Sequence, residues 1–265
     1  MRIGIVGAAG RMGQMLIREV HGNATAKLGG AVERAGSDAI GRDAGEIAGL
    51  GPLQVKIGSD PAALFDACDA VIDFTAPAAS VVHAGLAAAK GKALILGTTG
   101  ITAADQAKID AAAKSAVIVQ STNFSPAVVL SFALVEEAAR RLGPDYDIEI
   151  FEVHHRHKVD APSGTALSLG RAAAKGRGID FDKDTIRARD GHTGARPTGP
   201  IGFSVARGGS ETGEHNVMFL AEGERLEIVH KASNRQIYAR GAVRAALWAK
   251  GRAPGLYSMR DVLGL

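Results

Sequence analysis

Two patterns of hydrophobic and polar positions divide this chain. Up to about residue 120, short aliphatic runs alternate with Ala-rich segments of helical periodicity, which is typical of a parallel sheet covered by helices on both faces. The predicted strands lie at residues 2–6, 27–32, 54–57, 70–74, 93–97 and 116–120. The predicted helices lie at residues 11–20, 61–67, 78–90 and 102–114. This part is therefore predicted to be a doubly wound parallel α/β sheet.

The pattern changes after Ser125. A long apolar helix is predicted at residues 126–142, and strand-like segments follow at 147–154, 201–206, 214–220 and 225–232. The polar stretch 175–200 is predicted to be a long surface excursion, and a last helix at 236–250 is expected to return to the first domain. We therefore expect one domain from residues 1–125 and 235–265, and a second, mixed α+β domain from residues 126–234.

Composition and charge exclude several classes of protein. The single cysteine, Cys68, cannot form an intramolecular disulfide or a cysteine-based zinc site, which favours a reducing, cytoplasmic setting. A net charge of +3 over 265 residues and an aromatic content of 5% argue against a nucleic-acid-binding surface. No run of about 18 apolar residues and no basic-then-apolar leader is present, so we expect neither membrane insertion nor export.

A glycine-rich motif follows the first predicted strand directly. It reads Gly7-Ala8-Ala9-Gly10-Arg11-Met12-Gly13. Glycines at this spacing permit a tight strand-to-helix turn and a close approach of the backbone to a pyrophosphate. Free N–H groups and the N-terminus of the next helix then meet its charge. The flanking strand and helix predict a Rossmann-type dinucleotide site.

An acidic residue stands at the end of the second predicted strand. Glu33 lies twenty positions beyond Gly13, where a carboxylate accepts hydrogen bonds from the adenine ribose. Arg34 beside it is placed to pair with a 2′-phosphate. The pair predicts use of both NADH and NADPH, and the alternative is that both residues are solvated loop charges.

Two more loops follow predicted strands of the same sheet. They are Gly97-Thr98-Thr99-Gly100 and Ser121-Thr122-Asn123-Phe124. Doubly wound sheets bind ligands at the carboxyl ends of their strands, so these loops are candidates to flank a nicotinamide ring. The alternative is that they are ordinary turns.

The densest cluster of polar residues runs from Glu152 to Thr165 and includes His154, His155, His157, Lys158 and Asp160. On a strand, His155 and His157 would share a face and offer two metal ligands. Arg156 and Lys158 would repel a cation, however, and favour an anionic substrate. A helix expected to start near Ser163 would add N–H groups at Ser163, Gly164 and Thr165 for a carboxylate. Imidazole and lysine groups suit proton transfer, and a solvated polar strand end is the alternative.

These motifs together resemble the dihydrodipicolinate reductase family. The resemblance covers essentially the whole chain, and its most specific part is the string H-H-R-H-K-x-D-A-P-S-G-T that begins at His154. It also includes the motif from Gly7 to Gly13, the pair Glu33-Arg34, Gly97 to Gly100, Asn123 to Ser125, Gly213-Glu214-His215 and the stretch from His230 to Arg235.

The resemblance implies an NAD(P)H-dependent reductase of 4-hydroxy-tetrahydrodipicolinate, on the diaminopimelate route to lysine. His154 and Lys158 would exchange protons with the substrate, and His155, Gly164 and Thr165 would bind this cyclic dicarboxylate. The cofactor would contact Gly7, Ala8, Ala9, Gly10, Arg11, Met12, Glu33, Arg34, Gly97, Thr98, Thr99, Ser121, Thr122, Asn123 and Phe124. The family also implies a homotetramer assembled through an open mixed sheet of the second domain. No metal is expected.

One position departs from the family pattern. Many members have Arg in the F-T-x-P turn, near the 2′-phosphate, whereas this chain has Ala76 in Phe74-Thr75-Ala76-Pro77. Arg34 is then expected to be the only cation nearby, so we predict use of NADH and NADPH without a strong preference. Two alternatives remain: a non-catalytic NAD(P)-sensing regulator, and a reductase of another anionic carbonyl or imine compound.

Overall fold

The computed structural model describes residues 1–265. The strands are β1 (Arg2–Val6), β2 (Lys27–Val32), β3 (Ile57–Gly58), β4 (Ala70–Asp73), β5 (Ala93–Leu96), β6 (Val117–Gln120), β7 (Asp147–His154), β8 (Thr185–Ile186), β9 (Ile201–Arg207), β10 (Glu214–Ala221), β11 (Glu224–Lys231) and β12 (Gly255–Tyr257). The α-helices are α1 (Arg11–His21), α2 (Ala44–Ile47), α3 (Pro61–Ala67), α4 (Pro77–Lys90), α5 (Ala103–Ala113), α6 (Pro126–Leu142), α7 (Gly164–Arg177), α8 (Gln236–Trp248) and α9 (Met259–Leu263), and a 3₁₀ turn spans Gly143–Asp145.

The chain forms two compact units. The first unit comprises Met1–Pro126 and Gln236–Leu265, and the second comprises Ala127–Arg235. None of the helices combines the length and the apolar character that a membrane span requires.

The first unit is built on a seven-stranded sheet in the order β12-β6-β5-β4-β1-β2-β3. Every pairing in it is parallel. All residues of β4 and β5 are buried, as expected for central strands of a sheet with helices on both faces. The predicted Rossmann-type doubly wound fold is confirmed.

Local signals explain where the helices of this unit begin and end. Asp60 caps α3 by accepting the N–H groups of Ala62 and Ala63, and Thr102 caps α5 by accepting that of Asp105. At the other end, α4 stops at Gly91, whose left-handed conformation is inexpensive for glycine.

The predicted third strand is displaced. The sequence predicts it at residues 54–57, but it spans Ile57–Gly58, because Gln54 has a φ of +61° that a strand does not permit. The sequence pattern also missed α2, β8, α9 and β12, which have five residues or fewer and so show no periodicity.

The second unit contains a mixed five-stranded sheet in the order β11-β10-β7-β9-β8. Strand β10 is antiparallel to β7 and β11, whereas β9 is parallel to β7 and β8. Its core consists of alternate residues of β7, β9 and β10 packed against apolar residues of α6 and α7. The second α+β fold with a mixed sheet, predicted for this part of the chain, is thus confirmed.

The predicted excursion at residues 175–200 begins as the end of α7 and contains β8. Two arginines hold the remainder against β7. Arg189 makes two hydrogen bonds to Glu149, at 2.7 and 2.9 Å, and Arg196 bonds both Glu149 and Asp147. Gly202 leaves room for the Glu149 carboxylate, which would lie 2.1 Å from an added Cβ.

Candidate functional site

The carboxyl edge of the seven-stranded sheet collects the predicted cofactor residues of the first unit. Because β1, β2, β4, β5 and β6 are parallel, the loops that follow them meet at one edge. The sheet order reverses between β1 and β4, the kind of position where such sheets bind nucleotides.

The glycine motif makes the turn from β1 into α1. Gly7 has a φ of +66°, a conformation that favours glycine. A Cβ on Gly13 would lie 2.2 Å from the Gly7 carbonyl oxygen, so this glycine permits α1 to pack directly on the loop. The motif thus has the geometry expected of a dinucleotide turn.

The sequence predicts free N–H groups in this turn, but several of them are hydrogen-bonded within the protein. Three are used inside the protein: Ala8 by the Val32 oxygen at 3.1 Å, Ala9 by Glu33 Oε1 at 2.9 Å, and Gly10 by the Gly7 oxygen at 3.1 Å. The first turn of α1, which contains Arg11 and Met12, lacks a capping side chain because its N-cap is Gly10. These first-turn N–H groups are the natural site for a phosphate.

Glu33 is fixed beside the glycine turn. Its Oε1 accepts the Ala9 N–H at 2.9 Å, and its Oε2 accepts the Arg34 N–H at 3.1 Å. A carboxylate has about four acceptor sites, so both oxygens keep capacity for ribose hydroxyls. The exposed Arg34 guanidinium forms no ion pair within the protein.

A cavity of about 350 Å³ lies next to this pair, with walls that are mainly apolar. It is lined by Val6, Gly7, Val32, Glu33, Arg34, Ser59, Pro61, Thr75, Ala76, Ala79 and His83. Its size, apolar walls and position suit an adenine ring. Arg42 lines a neighbouring cavity together with Arg34, so the expectation that Arg34 is the only nearby cation is wrong.

A buried polar network supports the loops after β4 and β5. Asp73 is fully buried, and its carboxylate accepts the Thr75 N–H at 2.8 Å, the Thr75 hydroxyl at 2.6 Å and His83 Nδ1 at 2.8 Å. Burial acts to raise the pKa of Asp73, but the His83 and Thr75 contacts outweigh it and hold the pKa below its usual value. The Thr98 hydroxyl accepts from Ser80 at 2.8 Å in the same network, so Thr98 has mainly its backbone to offer a cofactor.

The loop after β6 is held by its own side chains. The Ser121 hydroxyl donates to the Asn123 carbonyl at 2.7 Å, and Asn123 Oδ1 accepts the Ser125 N–H at 2.8 Å. Phe124 is 1% exposed and packs edge-on against Phe74, with ring centroids 5.3 Å apart. Any contact of Phe124 with a cofactor would therefore use its backbone.

Gly97 also packs against Phe74, since an added Cβ would lie 2.1 Å from that ring. Thr99 and Thr122 are exposed and stand available to a ligand. The predicted cofactor residues of the first unit therefore share one edge, although Thr98 and Phe124 are largely structural there.

In the second unit, β7 delivers two polar side chains to its buried face. Burial alternates along this strand, so Glu152 and His154, two positions apart, lie on the face that packs against α7. The expectation that His155 and His157 share a strand face is wrong, because β7 ends at His154 and both residues lie in the following loop.

Four donors surround the fully buried Glu152 carboxylate. They are Arg207 Nη1 at 3.0 Å, Arg207 Nη2 at 2.8 Å, the Ser163 N–H at 3.0 Å and His154 Nδ1. This number equals the acceptor capacity of a carboxylate. Glu152 is therefore fully used within the protein.

The His154 ring is enclosed on several sides. It lies edge-on to His215, with ring centroids 5.2 Å apart, and His215 Nε2 is hydrogen-bonded to the Ser163 hydroxyl at 3.1 Å. A Cβ on Gly213 would lie 2.8 Å from His154 Nε2, so glycine at this position makes room for the imidazole.

Burial and charge shift the pKa values of these groups. Burial lowers the pKa of His154 despite the opposing effect of Glu152, and the charges of Lys158 and Arg207 lower it further. Burial also lowers the pKa of His215 to about 4. For Glu152, burial acts to raise the pKa, but the Arg207 hydrogen bonds outweigh it and the pKa is lowered. At neutral pH the cluster thus holds a carboxylate and a neutral His215.

The loop after β7 brings several cations together. Lys158 Nζ donates to Asp160 Oδ1 at 2.7 Å, and Arg235 donates to His155 Nε2 at 3.3 Å. Arg207 also donates to the Asp160 carbonyl at 2.8 Å, which ties the loop to β9. The arrangement suits an anionic ligand that takes a proton.

Helix α7 begins where the sequence predicted. Ser163 is its N-cap and accepts the Ala166 N–H at 3.2 Å. The sequence predicts a free N–H at Ser163, but Glu152 accepts a hydrogen bond from it. Gly164 and Thr165 form the first turn, where N–H groups and the helix dipole favour a carboxylate.

Glu152, His154 and His215 also form a set of possible metal ligands, with ligand atoms within 4.8 Å of one another. A cation there would have to displace Arg207, which makes two hydrogen bonds to Glu152. We therefore assign these atoms to hydrogen bonding, and the absence of a metal stays a prediction.

Sequence reasoning named Glu152 but gave it no role, and it did not find Arg207. The two-residue spacing of Glu152 and His154 on a predicted strand was the available signal for the first. For Arg207 there was none, since it lies 55 residues from its partner in sequence.

Comparisons with known proteins agree over the whole chain. The family model described as "Dihydrodipicolinate reductase, N-terminus" matches residues 1–124, and the model described as "Dihydrodipicolinate reductase, C-terminus" matches residues 127–263. The 4-hydroxy-tetrahydrodipicolinate reductase of Methylocella silvestris is 58% identical over 265 residues, covering 100% of this chain and 97% of that protein. That of Brucella abortus is 56% identical over 266 residues, covering 100% of this chain and 99% of that protein.

Solved structures share the fold. A dipicolinate-bound dihydrodipicolinate reductase from Paenisporosarcina sp. TG-14 superposes with a TM-score of 0.77 at 22% identity, covering 98% of both chains. An amine dehydrogenase from Mycobacterium smegmatis gives a TM-score of 0.66 at 15% identity, covering 97% of this chain and 95% of that one. At these identities the likeness shows the fold alone.

Proposed function

This chain belongs to the dihydrodipicolinate reductase family, and we infer from this that it catalyses the NAD(P)H-dependent reduction of 4-hydroxy-tetrahydrodipicolinate. The reaction is a step of the diaminopimelate route to lysine. The observation that supports it most is the full-length relation to reductases of this name, at 56–58% identity. The predicted proton-transfer and carboxylate-binding residues His154, Lys158, Gly164 and Thr165 are all present.

We assign cofactor binding to the first unit. The first turn of α1 would hold the pyrophosphate, Glu33 the ribose hydroxyls, and Arg34 a 2′-phosphate when one is present. The apolar cavity beside Glu33 would take the adenine ring. Because Glu33 suits one cofactor and Arg34 the other, we propose that both NADH and NADPH are used.

We assign substrate binding to the second unit. His155 and the first turn of α7, at Gly164 and Thr165, would hold the carboxylates of a cyclic dicarboxylate. Dipicolinate, the ligand of the neighbouring reductase structure, is a compound of this class. The cations Lys158 and Arg235 lie in the same part of the second unit and favour a doubly anionic ligand.

The reaction balances with one hydride, one proton and one water. The 4-hydroxyl of the substrate leaves as water together with a proton from a neighbouring ring carbon. When bound, NAD(P)H supplies the hydride to an electron-poor carbon of the resulting ring. His154 or Lys158 would deliver the proton to the reduced ring. Burial lowers the pKa of His154 in the free protein, and a bound dianion would raise it, so substrate binding favours the protonated form of His154.

Two broader expectations belong to the same proposal. We propose that the chain is a homotetramer assembled through the second unit, where the open sheet face exposes Phe151 at 39% and Val229 at 50%. A cytoplasmic location, expected from the single cysteine, stays a prediction.

The proposal is tested by a coupled assay in which a dihydrodipicolinate synthase supplies the unstable substrate. Oxidation of NADH or NADPH is followed by the loss of reduced-nicotinamide absorbance. We expect His154→Gln to lower kcat by about 10²- to 10⁴-fold while the cofactor Kd is unchanged, because a positioned acid contributes an effect of that size. His192→Gln, at an exposed position of the second unit, is the matched control and should leave kcat unaltered.

Two outcomes would contradict this assignment. Cofactor binding without any oxidation in the wild-type protein would favour the NAD(P)-sensing regulator. An unchanged kcat in His154→Gln would remove His154 from the proton-transfer step.

A further inference from the structure

The inference here rests on the proposed function and concerns two residues that touch neither cofactor nor substrate in it. We propose that the buried Glu152 and the partly buried Arg207 form a positioning pair. The pair fixes which nitrogen of the neutral His154 ring carries the proton and how strongly the other nitrogen binds a second one.

The contacts of Glu152 decide the tautomer of His154. Glu152 Oε2 accepts a hydrogen bond from His154 Nδ1, so a neutral imidazole must keep its proton on Nδ1. Its Nε2 is then the atom that gains and loses a proton. Gly213 leaves the space beside that nitrogen, since a Cβ there would approach it to 2.8 Å.

Arg207 keeps the carboxylate in the required plane. Its two Nη atoms bond the two oxygens of Glu152 at 2.8 and 3.0 Å, a bidentate geometry that prevents rotation of the carboxylate. Arg207 is itself held by the carbonyls of Ala206 at 2.7 Å and Asp160 at 2.8 Å. The position of the His154 ring therefore depends on β9 as well as on its own strand.

The same carboxylate also anchors the turn proposed to bind the substrate. Glu152 Oε1 accepts the N–H of Ser163, the N-cap of α7, at 3.0 Å. One side chain thus connects the proton-exchanging imidazole with the first turn at Gly164. A residue that only fills space at this position would not need hydrogen bonds to both His154 and Ser163.

The charges around His154 indicate that removing the charge of Glu152 and removing that of Arg207 shift the pKa of His154 in opposite directions. The groups that face its ring are Glu152, Lys158, Arg207 and His215. The Glu152 carboxylate raises the pKa of His154, whereas the Arg207 and Lys158 charges lower it. His215, with a pKa of about 4, is neutral and adds no charge near neutral pH.

The test is a ¹⁵N NMR titration of histidine-labelled full-length protein, with His154 assigned by its loss in His154→Gln. In the wild type we expect neutral His154 to be protonated on Nδ1. In Glu152→Gln its pKa should fall, and in Arg207→Gln it should rise. In the coupled assay, kcat should fall in both variants by no more than in His154→Gln, about 10²- to 10⁴-fold.

Several results would overturn the proposal. They are a neutral wild-type His154 protonated on Nε2, pKa shifts in the same direction in the two variants, or no shift in either. If a single variant fails to fold, the wild-type tautomer of His154 still tests the proposal. Glu152→Asp keeps the charge, so it should hold the pKa of His154 closer to the wild-type value than Glu152→Gln does.

The NMR readout does not depend on turnover. A protein that fails the coupled assay yet shows opposite pKa shifts would contradict the proposed function and leave the positioning pair standing. Normal turnover by the wild type, together with equal pKa shifts of His154 in the two variants, would support the proposed function and contradict the positioning pair.

Discussion

The guanidinium of Arg34 lines the proposed adenosine cavity beside Glu33 and has no carboxylate partner in the protein. An unpaired arginine at this position is free to meet a 2′-phosphate, which only NADPH has. Arg42 lines the adjoining cavity and supplies a second positive charge nearby.

We therefore expect Arg34→Ala to lower kcat/KM for NADPH by about tenfold or more, the equivalent of at least one charge-assisted hydrogen bond of about 1.5–3 kcal/mol. The kcat/KM for NADH should change little in this variant. Parallel steady-state kinetics with both cofactors measure the difference.

The control for Arg34→Ala is Arg244→Ala, an exposed arginine on α8 that lines neither cavity. It should leave both cofactors unaffected. An equal loss for NADH and NADPH in Arg34→Ala would show that Arg34 does not read the 2′-phosphate.

At the scale of elements, α8 lies close to the loop after β6. A Cβ on Gly241 would lie 1.6 Å from the carbonyl oxygen of Phe124, a backbone atom that cannot move without the chain. Gly85, in the middle of α4, is exposed and has no neighbouring atom within 4 Å of its would-be Cβ.

These two glycines should therefore respond oppositely to alanine. Gly241→Ala is expected to lower the free energy of unfolding by about 1–3 kcal/mol, through overpacking. Gly85→Ala is expected to raise it by about 0.4–1 kcal/mol, because alanine restricts the unfolded chain and suits a helix.

Thermal and urea unfolding of the two variants beside the wild type measure both effects. A stable Gly241→Ala protein would mean that α8 can move away from Phe124 at little cost. Such a result would contradict the close packing described for this helix.

At the scale of the whole molecule, the open face of the five-stranded sheet is the surface proposed to join the subunits. Phe151 and Val229 both pair with Asn216, so the three residues form one row across β7, β10 and β11. This row lies on the face opposite the core residues Ile150 and Val217.

We expect Val229→Lys to dissociate a tetramer, because a charge buried at an interface without a partner is costly. Sedimentation velocity should give the mass of four chains for the wild type and a smaller mass for the variant. Val82→Lys, at a 57% exposed valine of α4, is the control and should remain tetrameric. A wild-type monomer would contradict the proposal directly.

Much of the architecture was predictable from the chain alone. Strand β2 and helix α3 have their predicted bounds because apolar runs, Pro61 and the capping Asp60 are local signals. Elements of a few residues, such as β12, were missed because they form by pairing with a distant strand and show no periodicity.

The candidate site was predictable to a similar extent. The glycine motif, Glu33 and the string from His154 to Thr165 are consecutive or regularly spaced, so sequence reveals them. Their hydrogen-bond partners are not, and Arg207 lies 55 residues from Glu152. This explains why N–H groups expected to be free, in the glycine turn and at Ser163, prove to be bonded.

The sequence by itself determined the order of the longer strands and helices, the family and the residue types available for chemistry. Those properties depend on local periodicity and on motifs of contiguous residues. Only the tertiary structure decided which polar groups are satisfied, which imidazole lies against a carboxylate, and that Arg42 stands near Arg34. Such contacts depend on distances between segments that are remote in the chain, and burial then sets the pKa values of the groups that meet there.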